Sequence, residues 1–210
     1  DEFAKTLGAE DLENLKTLVS EQMEREYAQV SRMKLKRQLL DKLNEAHDFE
    51  LPPSLVDAEF DGIWAQVTQQ MEQAGRTFED EGKSEEEMRQ EYRDVAARRV
   101  RLGLIIGDVG EKNNIEVTQD ELRGALLEEA RKYPGQEKFV YEYYEKTPGA
   151  IGQLRAPIFE DKVVDLIVDQ AAVTDKKVSV EELAKPLPGD EDEADVQEDQ
   201  QPTAGAKDEA

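Results

Sequence analysis

The stretch Val100-Arg-Leu-Gly-Leu-Ile-Ile-Gly-Asp-Val109 is the most apolar part of the sequence, and the fold prediction starts from it. Large apolar residues stand at positions 100, 102, 104, 105, 106 and 109. A segment with so many large apolar residues is either buried on nearly all sides or exposed as a surface that binds other apolar groups. Gly103 and Gly107 have the spacing that lets two helices approach closely, so we expect another helix to pack against them.

Capping signals place this stretch within a run of helices. Ser84 and Glu87 have the spacing of a capping box, which predicts that a helix begins there and leads into the apolar stretch. Residues 110–114 are predicted to break that helix. Thr118 and Glu121 form a second capping-box pattern, which predicts the start of the next helix.

Apolar residues at three- and four-residue spacing predict a long helix over residues 10–46, which contains no Pro or Gly. At 1.5 Å per residue such a helix is about 50 Å long, which is typical of a spine rather than of a small globule. Further helices are predicted over residues 53–74, 118–133 and 150–172, with a short one around Phe139. Pro157 should kink the last helix or mark its start. The predicted fold class is all-α, with one short extended piece at residues 178–180.

Composition excludes several classes of function. The chain has 50 acidic and 27 basic residues, a net charge of −23, which opposes nucleic-acid binding. The basic run Arg32-Met-Lys-Leu-Lys-Arg37 is interpreted as the solvated side of a helix. There is no cysteine, no phosphate-binding loop and no apolar run of the ~18–20 residues that a membrane span needs. Without a leader pattern, we expect a cytoplasmic protein and, because the chain does not begin with Met, a fragment of a longer one.

Candidate catalytic groups are equally sparse. His47 is the single histidine, near a predicted helix end, where its charge is favourable. It has no Ser, Cys or second His beside it in the sequence, so a catalytic triad or a zinc site is not expected. We expect no metal, no cofactor and no enzymatic activity. The acidic run in residues 190–195 lacks the spacing of a calcium loop, and we expect the segment from residue 186 to be a disordered, solubilising tail.

Four segments, in this order, resemble bacterial trigger factors. They are Asp1-Glu-Phe-Ala-Lys-Thr-Leu-Gly8, Leu51-Pro-Pro-Ser-Leu-Val-Asp-Ala-Glu-Phe60, the run from Arg98 to Glu121 that contains the apolar stretch, and Val173-Thr-Asp-Lys-Lys-Val-Ser-Val-Glu-Glu-Leu183. Together they cover roughly residues 1 to 185. Pro157 and the long acidic tail depart from the family pattern.

The resemblance implies the helical C-terminal part of a ribosome-associated chaperone. Such a part is an elongated domain with a spine and two protruding arms that cradle unfolded or nascent polypeptides without ATP. On this basis we expect a return linker and spine helix in residues 1–48, the arms in residues 49–185 and the tail in residues 186–210. Whole family members also carry a ribosome-binding loop, Gly-Phe-Arg-x-Gly-Lys, and an FKBP-type prolyl isomerase domain. Neither is found in this sequence, so ribosome docking and isomerase activity are not expected of this chain.

The expected partners are therefore unfolded or nascent polypeptides, with no nucleic acid and no membrane, and with a homodimer as an open alternative. Nine residues are predicted to contact such clients or to form the core of the arms: Ile105, Ile106, Val109, Phe139, Tyr143, Tyr144, Ile151, Leu154 and Phe159. The aromatic residues among them either pack helix on helix or form the rim of a binding surface. Two alternatives remain: a helical scaffold or oligomerisation element, and the helical part of a periplasmic parvulin-type chaperone.

Overall fold

A computed structural model describes residues 2–186 of the chain, apart from the side chains of Glu79 and Glu81. Within this part the chain forms α-helices and one short 3₁₀ helix, and no strand, which confirms the all-α prediction. The helices are α1 (Glu2–Thr6), α2 (Leu12–Ala46), α3 (Pro53–Ala74), the 3₁₀ helix (Phe78–Glu81), α4 (Glu85–Lys112), α5 (Gln119–Arg131), α6 (Glu137–Lys146), α7 (Ala150–Gln170) and α8 (Val180–Ala184). The predicted tail lies outside the described residues, except for residue 186.

Local capping explains where several helices begin. The Ser84 hydroxyl accepts the Glu87 N–H at 3.2 Å, and the Ser84 N–H donates to Glu87 Oε2 at 2.8 Å. Thr118 and Glu121 make the same reciprocal pair at the start of α5. These bonds satisfy backbone donors that the first helical turn leaves open, so both predicted capping boxes are present.

The long helix α2 begins at Leu12 and is capped by Asp11, whose side chain accepts the backbone N–H of Asn14 at 2.8 Å. Its 35 residues contain no buried side chain, so its stability comes from local propensity and from partial packing. It ends at Ala46, and the next residue is His47, whose Nδ1 lies 2.8 Å from the carbonyl oxygen of Leu43. This places the histidine at the helix C-terminus, as the sequence predicted.

The end of α4 lies within residues 110–114, the segment that was predicted to break this helix. Gly110 is helical, and the helix continues to Lys112 before Asn114 takes a left-handed conformation at φ 53°. The Asn113 side-chain amide donates to the Val109 carbonyl oxygen at 2.7 Å, and the Ile115 N–H donates to the Gly110 carbonyl oxygen at 2.9 Å. The asparagines, rather than the glycine, therefore terminate this helix.

Two further expectations are met in part. Pro157 lies inside α7, which begins seven residues earlier at Ala150, so of the two alternatives it does not mark the start of the helix. At residues 178–180 the backbone of Ser179 is extended, but Val180 already belongs to α8. The Ser179 hydroxyl caps α8 by accepting the Glu182 N–H at 3.2 Å.

The chain divides into two compact units. Within the described residues, unit 1 comprises residues 2–97 and 176–186, and unit 2 comprises residues 98–175. In unit 1 the buried side of α3 carries Val56, Phe60, Ile63 and Val67 at the three- and four-residue spacing of a helix face. None of the helices within residues 2–186 has the length and apolarity that crossing a membrane requires.

Candidate functional site

The helices α5, α6 and α7 of unit 2 pack on one another around a small core. Its buried members are Ala130, Val140, Tyr144 and Ala150, and the side chains of Leu126, Tyr133, Tyr143 and Leu154 pack against them. In α6 the two buried residues, Val140 and Tyr144, are four positions apart and so lie on one face. Three of the nine predicted residues, Tyr143, Tyr144 and Leu154, are thus brought together in this cluster.

The same three helices expose large apolar side chains. Phe139 on α6 is 52% exposed, Leu127 on α5 is 45% exposed, and Ile151 on α7 is 40% exposed. Tyr141 is also exposed at the surface of α6. The aromatic residues therefore differ in burial, because Tyr144 is in the core whereas Phe139 and Tyr141 are exposed.

Helix α6, which carries Phe139 and Tyr141, also carries two ion pairs. Glu142 Oε2 lies 2.8 Å from Lys146 Nζ, and Glu142 Oε1 lies 3.6 Å from Lys138 Nζ, all on α6. The Lys146 ammonium group holds the pKa of the Glu142 carboxyl below its usual value. A surface that alternates apolar side chains with ion pairs can contact apolar partners and still remain hydrated when empty.

The tyrosines of the cluster sit in a poorly hydrated environment. Burial, aided by the nearby charge of Glu129, raises the pKa of both Tyr133 and Tyr144. The Tyr133 hydroxyl oxygen is buried and has no hydrogen-bond partner among the described residues. The rings of Tyr143 and Tyr144 meet edge to face with centroids 5.2 Å apart. These rings act here as apolar packing groups.

One ion pair fastens α7 to the start of α5. Lys162 Nζ lies 2.8 Å from Glu121 Oε1 and 2.7 Å from the carbonyl oxygen of Glu116. Glu121 Oε2 also accepts the Thr118 N–H at 2.7 Å. The Lys162 hydrogen bond, followed by those from Thr118, lowers the pKa of the Glu121 carboxyl to about 2. The Glu121 carboxylate, which caps α5, therefore also binds Lys162 of α7 and holds α7 against the start of α5.

The apolar stretch of α4 is buried on one side. Leu102, Ile105 and Ile106 are buried, and Val109 is half-buried, whereas Leu104 is exposed. The expected packing at Gly103 and Gly107 is wrong, because a Cβ at either position would meet no atom within 4 Å in the described part of the chain. The close approach occurs instead at Gly110, against the half-buried ring of Phe159.

An aromatic stack in unit 1 was missed by the sequence reasoning. The Trp64 ring stacks on Phe60 and on Phe78, with centroids 5.9 and 5.5 Å away. Tyr92 meets it edge-on at 6.2 Å, and the Arg89 guanidinium carbon lies 4.4 Å from its centroid. The four-residue spacing of Phe60 and Trp64 on one helix was the available signal, but the rings from outside α3 could not be paired from spacing alone.

Ligands for a metal ion are not assembled in the described residues. No group of three or more His, Cys, Asp or Glu side chains within residues 2–186 is arranged to hold one. His47 is bonded to the backbone of its own helix.

Comparison with known proteins identifies the family. The sequence model described as the C-terminus of bacterial trigger factor protein matches residues 11–169. The chain is similar to the trigger factor of Afipia carboxidovorans, at 56% identity over 88% of this chain and 41% of that protein. It is also similar to trigger factors of Rhodopseudomonas palustris, at 53% identity over 88% and 41%, and of Brucella abortus, at 55% identity over 87% and 39%.

The matched region spans about two fifths of the length of these relatives. Matches of this identity, over most of the chain and to the C-terminal family model, agree with the four segments on which the resemblance rested. The chain therefore belongs to the bacterial trigger factor family, whose C-terminal part it matches.

Proposed function

We propose that this chain is an ATP-independent chaperone module that holds unfolded or nascent polypeptides through dispersed apolar side chains. The observation that carries the proposal is the exposure of Phe139, Leu127 and Ile151 on three helices that already have a buried core of their own. Because the core is complete without them, these side chains are free to contact another chain. Many weak, non-directional apolar contacts suit clients that share no common sequence.

The nine predicted residues then divide into two roles. Phe139 and Ile151 are proposed as direct client contacts, with the half-buried Val109, Tyr143, Leu154 and Phe159 contributing their accessible edges. Ile105, Ile106 and Tyr144 are buried, and we propose that they support the surface from the core. Leu127 and Tyr141 are added to the proposed contacts because both are exposed on the same helices.

The proposal is tested by measuring whether this chain, in the absence of nucleotide, keeps a second protein from aggregating while that protein refolds. We expect the chain at several-fold excess to suppress light scattering. The double variant Phe139→Ser/Ile151→Ser should lose several-fold in potency, because it removes apolar area from α6 and α7. The matched variant Lys138→Ser/Gln153→Ser changes polar neighbours on the same helices and should retain potency. Failure of the parent chain to suppress aggregation, with its helical circular dichroism intact, would contradict the holdase role.

A scaffold or self-association role is the second candidate, and one observation favours it. The helix α2 exposes Leu18, Val19, Met23 and Met33 over a length that has no buried side chain. Sedimentation velocity of the parent and of a Val19→Ser/Met23→Ser variant tests whether this face joins two copies. Concentration-dependent dimerisation that this variant abolishes would support the scaffold role.

The remaining functions are assigned elsewhere. We place ribosome binding and prolyl isomerisation, as expected of longer family members, in parts of the relatives that this chain does not match. The periplasmic parvulin-type alternative is not carried further, because the chain belongs to a different family.

A further inference from the structure

Helix α7 of unit 2 makes separate contacts before and after Pro157, which lies inside the helix. Before the proline, Leu154 packs against the small core that α5, α6 and α7 share. After it, the ring of Phe159 lies against Gly110 of α4. Residues 155–157, between these contacts, are exposed. The two ends of α7 are therefore anchored in different places, and the stretch between them is not buried.

Pro157 interrupts the hydrogen bonding of α7 between these two anchors. It has no N–H group to donate to the carbonyl oxygen of Gln153, and its ring crowds the preceding turn. Sharp bends in helices occur mostly at proline and at a few other local interruptions of the hydrogen-bond pattern. Helix α7 is therefore more easily bent at Pro157 than in the hydrogen-bonded turns that follow it.

The chain also connects the two anchored regions through the short segment before α5. The Ile115 N–H donates to the Gly110 carbonyl oxygen at 2.9 Å, so the beginning of this segment is held at the end of α4. Residues 116–118 are not helical, and α5 follows them. Two parts of unit 2 thus meet at a proline and at a three-residue connection. We call them part A, residues 119–156, and part B, residues 98–115 and 158–170.

An ion pair links part A to part B. Lys162 Nζ in part B lies 2.8 Å from Glu121 Oε1 in part A and 2.7 Å from the carbonyl oxygen of Glu116 in the connection. The side chains of Lys162 and Glu121 are 32% and 36% exposed. Water and salt weaken a contact between partly exposed charges. This link can therefore be broken without leaving a charge buried and unpaired.

We propose that unit 2 bends at Pro157 and at residues 116–118, and that the Glu121–Lys162 pair is the latch that opposes this bending. When the latch opens, part A turns as one body, because its core around Val140 and Tyr144 stays packed. The latched form predominates, since opening breaks the ion pair. A minor form of this kind is populated in about 0.1–10% of molecules.

Bending changes the spacing between residues that are proposed to contact clients. Phe139 and Ile151 lie in part A, whereas the half-buried Val109 lies in part B. The latch then decides which client segments can touch both parts at once. This consequence rests on the proposed holdase function, but the bend itself does not. A chain that fails to suppress aggregation can still bend, so the two proposals fail separately.

Distances between two spin labels in the full-length chain test the bend. The chain has no cysteine, so Glu145→Cys in part A and Asp169→Cys in part B create the two labelling sites, both at exposed positions. Double electron–electron resonance measures the distribution of distances between the labels. We expect one main distance in this labelled parent, and a second distance whose share rises at least threefold in Lys162→Gln. Salt at 1 M, where the Debye length is about 3 Å, should raise the same share in the parent.

Two further substitutions separate the latch from a general effect of charge. Lys146→Gln breaks an ion pair of the same 2.8 Å length, to Glu142, that lies wholly within part A. We expect it to leave the distances unchanged. Pro157→Ala, added to Lys162→Gln, restores the helical donor and should lower the share of the second distance at least threefold. Equal effects of Lys162→Gln and Lys146→Gln, or a second distance that Pro157→Ala does not reduce, would overturn the proposal.

Label pairs within each part distinguish bending from unfolding. Glu128→Cys/Glu145→Cys lies in part A, and Glu111→Cys/Asp169→Cys lies in part B. We expect a single distance for each pair, with and without Lys162→Gln. A second distance in either pair would mean local unfolding and would exclude rotation of part A as one body. If Lys162→Gln loses its helical circular dichroism, the salt dependence of the parent, with and without Pro157→Ala, decides. A parent distribution that salt leaves unchanged then overturns the latch.

Discussion

The ring of Phe159 on α7 fills the space in which a side chain at position 110 on α4 would begin. A Cβ on Gly110 would lie 2.1 Å from Phe159 Cζ and 2.9 Å from both Cε atoms. Glycine within a helix is less favourable than alanine by about 0.5–1 kcal/mol. Its presence at this buried position is explained by the close approach of the phenyl ring, which an added methyl group would displace.

Gly110→Ala should therefore destabilise unit 2. We expect the free energy of unfolding to fall by about 1–3 kcal/mol, the usual cost of overpacking a well-packed contact. Urea denaturation followed by circular dichroism measures the change. Adding Phe159→Leu should restore part of the loss, because the smaller side chain leaves room for the methyl group.

The matched controls lie on the same helix. Gly103→Ala and Gly107→Ala add the same methyl group where no atom lies within 4 Å. We expect each to raise the free energy of unfolding by up to about 1 kcal/mol through helix propensity. A loss of stability at all three positions would show that the Phe159 contact is not what distinguishes Gly110.

The Glu121–Lys162 pair predicts a pH dependence of stability. Contacts from Lys162 and Thr118 lower the pKa of Glu121 to about 2, from an ordinary value of 4.5. A carboxyl with a lowered folded-state pKa contributes stability above its unfolded-state pKa and loses it as the pH falls through the folded-state value. The contribution of Glu121 is thus complete above pH 4.5 and disappears progressively towards pH 2.

Glu121→Gln removes this titration. We expect the parent chain to be more stable than the variant at neutral pH, with the difference shrinking between pH 4.5 and pH 2. Urea denaturation at a series of pH values measures it. Glu128→Gln, on the same helix and in an exposed pair with Arg131, is the control and should show a smaller difference. If the difference in the free energy of unfolding between the parent and Glu121→Gln did not depend on pH, this would contradict the lowered pKa of Glu121 in the folded chain.

Much of the helix pattern could be predicted because its causes are local. The Ser84 and Thr118 capping boxes, the proline at the start of α3 and the uninterrupted run of α2 each act within a few residues of chain. Signals of this kind can be read from spacing alone. The helix predicted over residues 53–74 accordingly matches α3 at both ends.

Contacts between helices could not be predicted in the same way. Gly103 and Gly107 carry the close-packing spacing but face open space, whereas Gly110 makes the contact. Which of three glycines meets another helix depends on the position of Phe159, which is 49 residues further along the chain than Gly110. Likewise, spacing indicates that Phe139 and Tyr144 are apolar positions of α6, but only the packed structure separates the exposed residue from the buried one.

The domain boundaries show the same distinction between features that have a local sequence signal and features that depend on packing. A boundary at residues 48 and 49 follows the end of a helix, which composition and proline reveal. The compact units instead separate between Ala97 and Arg98, inside the continuous helix α4. A boundary within a helix leaves no Pro, Gly or loop signal in the sequence. The predicted assignment of linker, arms and tail stays a prediction.

The Arg89–Trp64 contact predicts a measurable contribution to unit 1. The guanidinium carbon lies 4.4 Å from the ring centroid, and Arg89 Nε also lies 2.9 Å from Glu85 Oε1. We expect Arg89→Gln to lower the free energy of unfolding by about 0.5–1 kcal/mol, the size of an exposed cation–π contact. Because Trp64 is the single tryptophan, its fluorescence reports both the local change and the unfolding transition.

The control for this prediction is Arg123→Gln on α5. That arginine pairs only at the surface with Asp120, at 3.2 Å. We expect it to change stability by less than about 0.5 kcal/mol and to leave the Trp64 emission unchanged. If Arg89→Gln behaved like this control in both measurements, the guanidinium group would contribute nothing to the aromatic stack.

Pro157 predicts a gain of stability on substitution. It lies inside α7, where it has no N–H to donate to the carbonyl oxygen of Gln153, so one helical hydrogen bond is missing. Pro157→Ala restores that donor and introduces a strong helix former, and we expect the free energy of unfolding to rise by about 1–3 kcal/mol.

Pro148 stands in the turn before α7 and serves as the control. There, Pro148→Ala should lower stability by up to about 1 kcal/mol, because proline in a compatible turn restricts the unfolded chain. Urea denaturation of both variants checks the pair. A loss of stability in Pro157→Ala would mean that the backbone geometry imposed by Pro157 is required by the packing of α7.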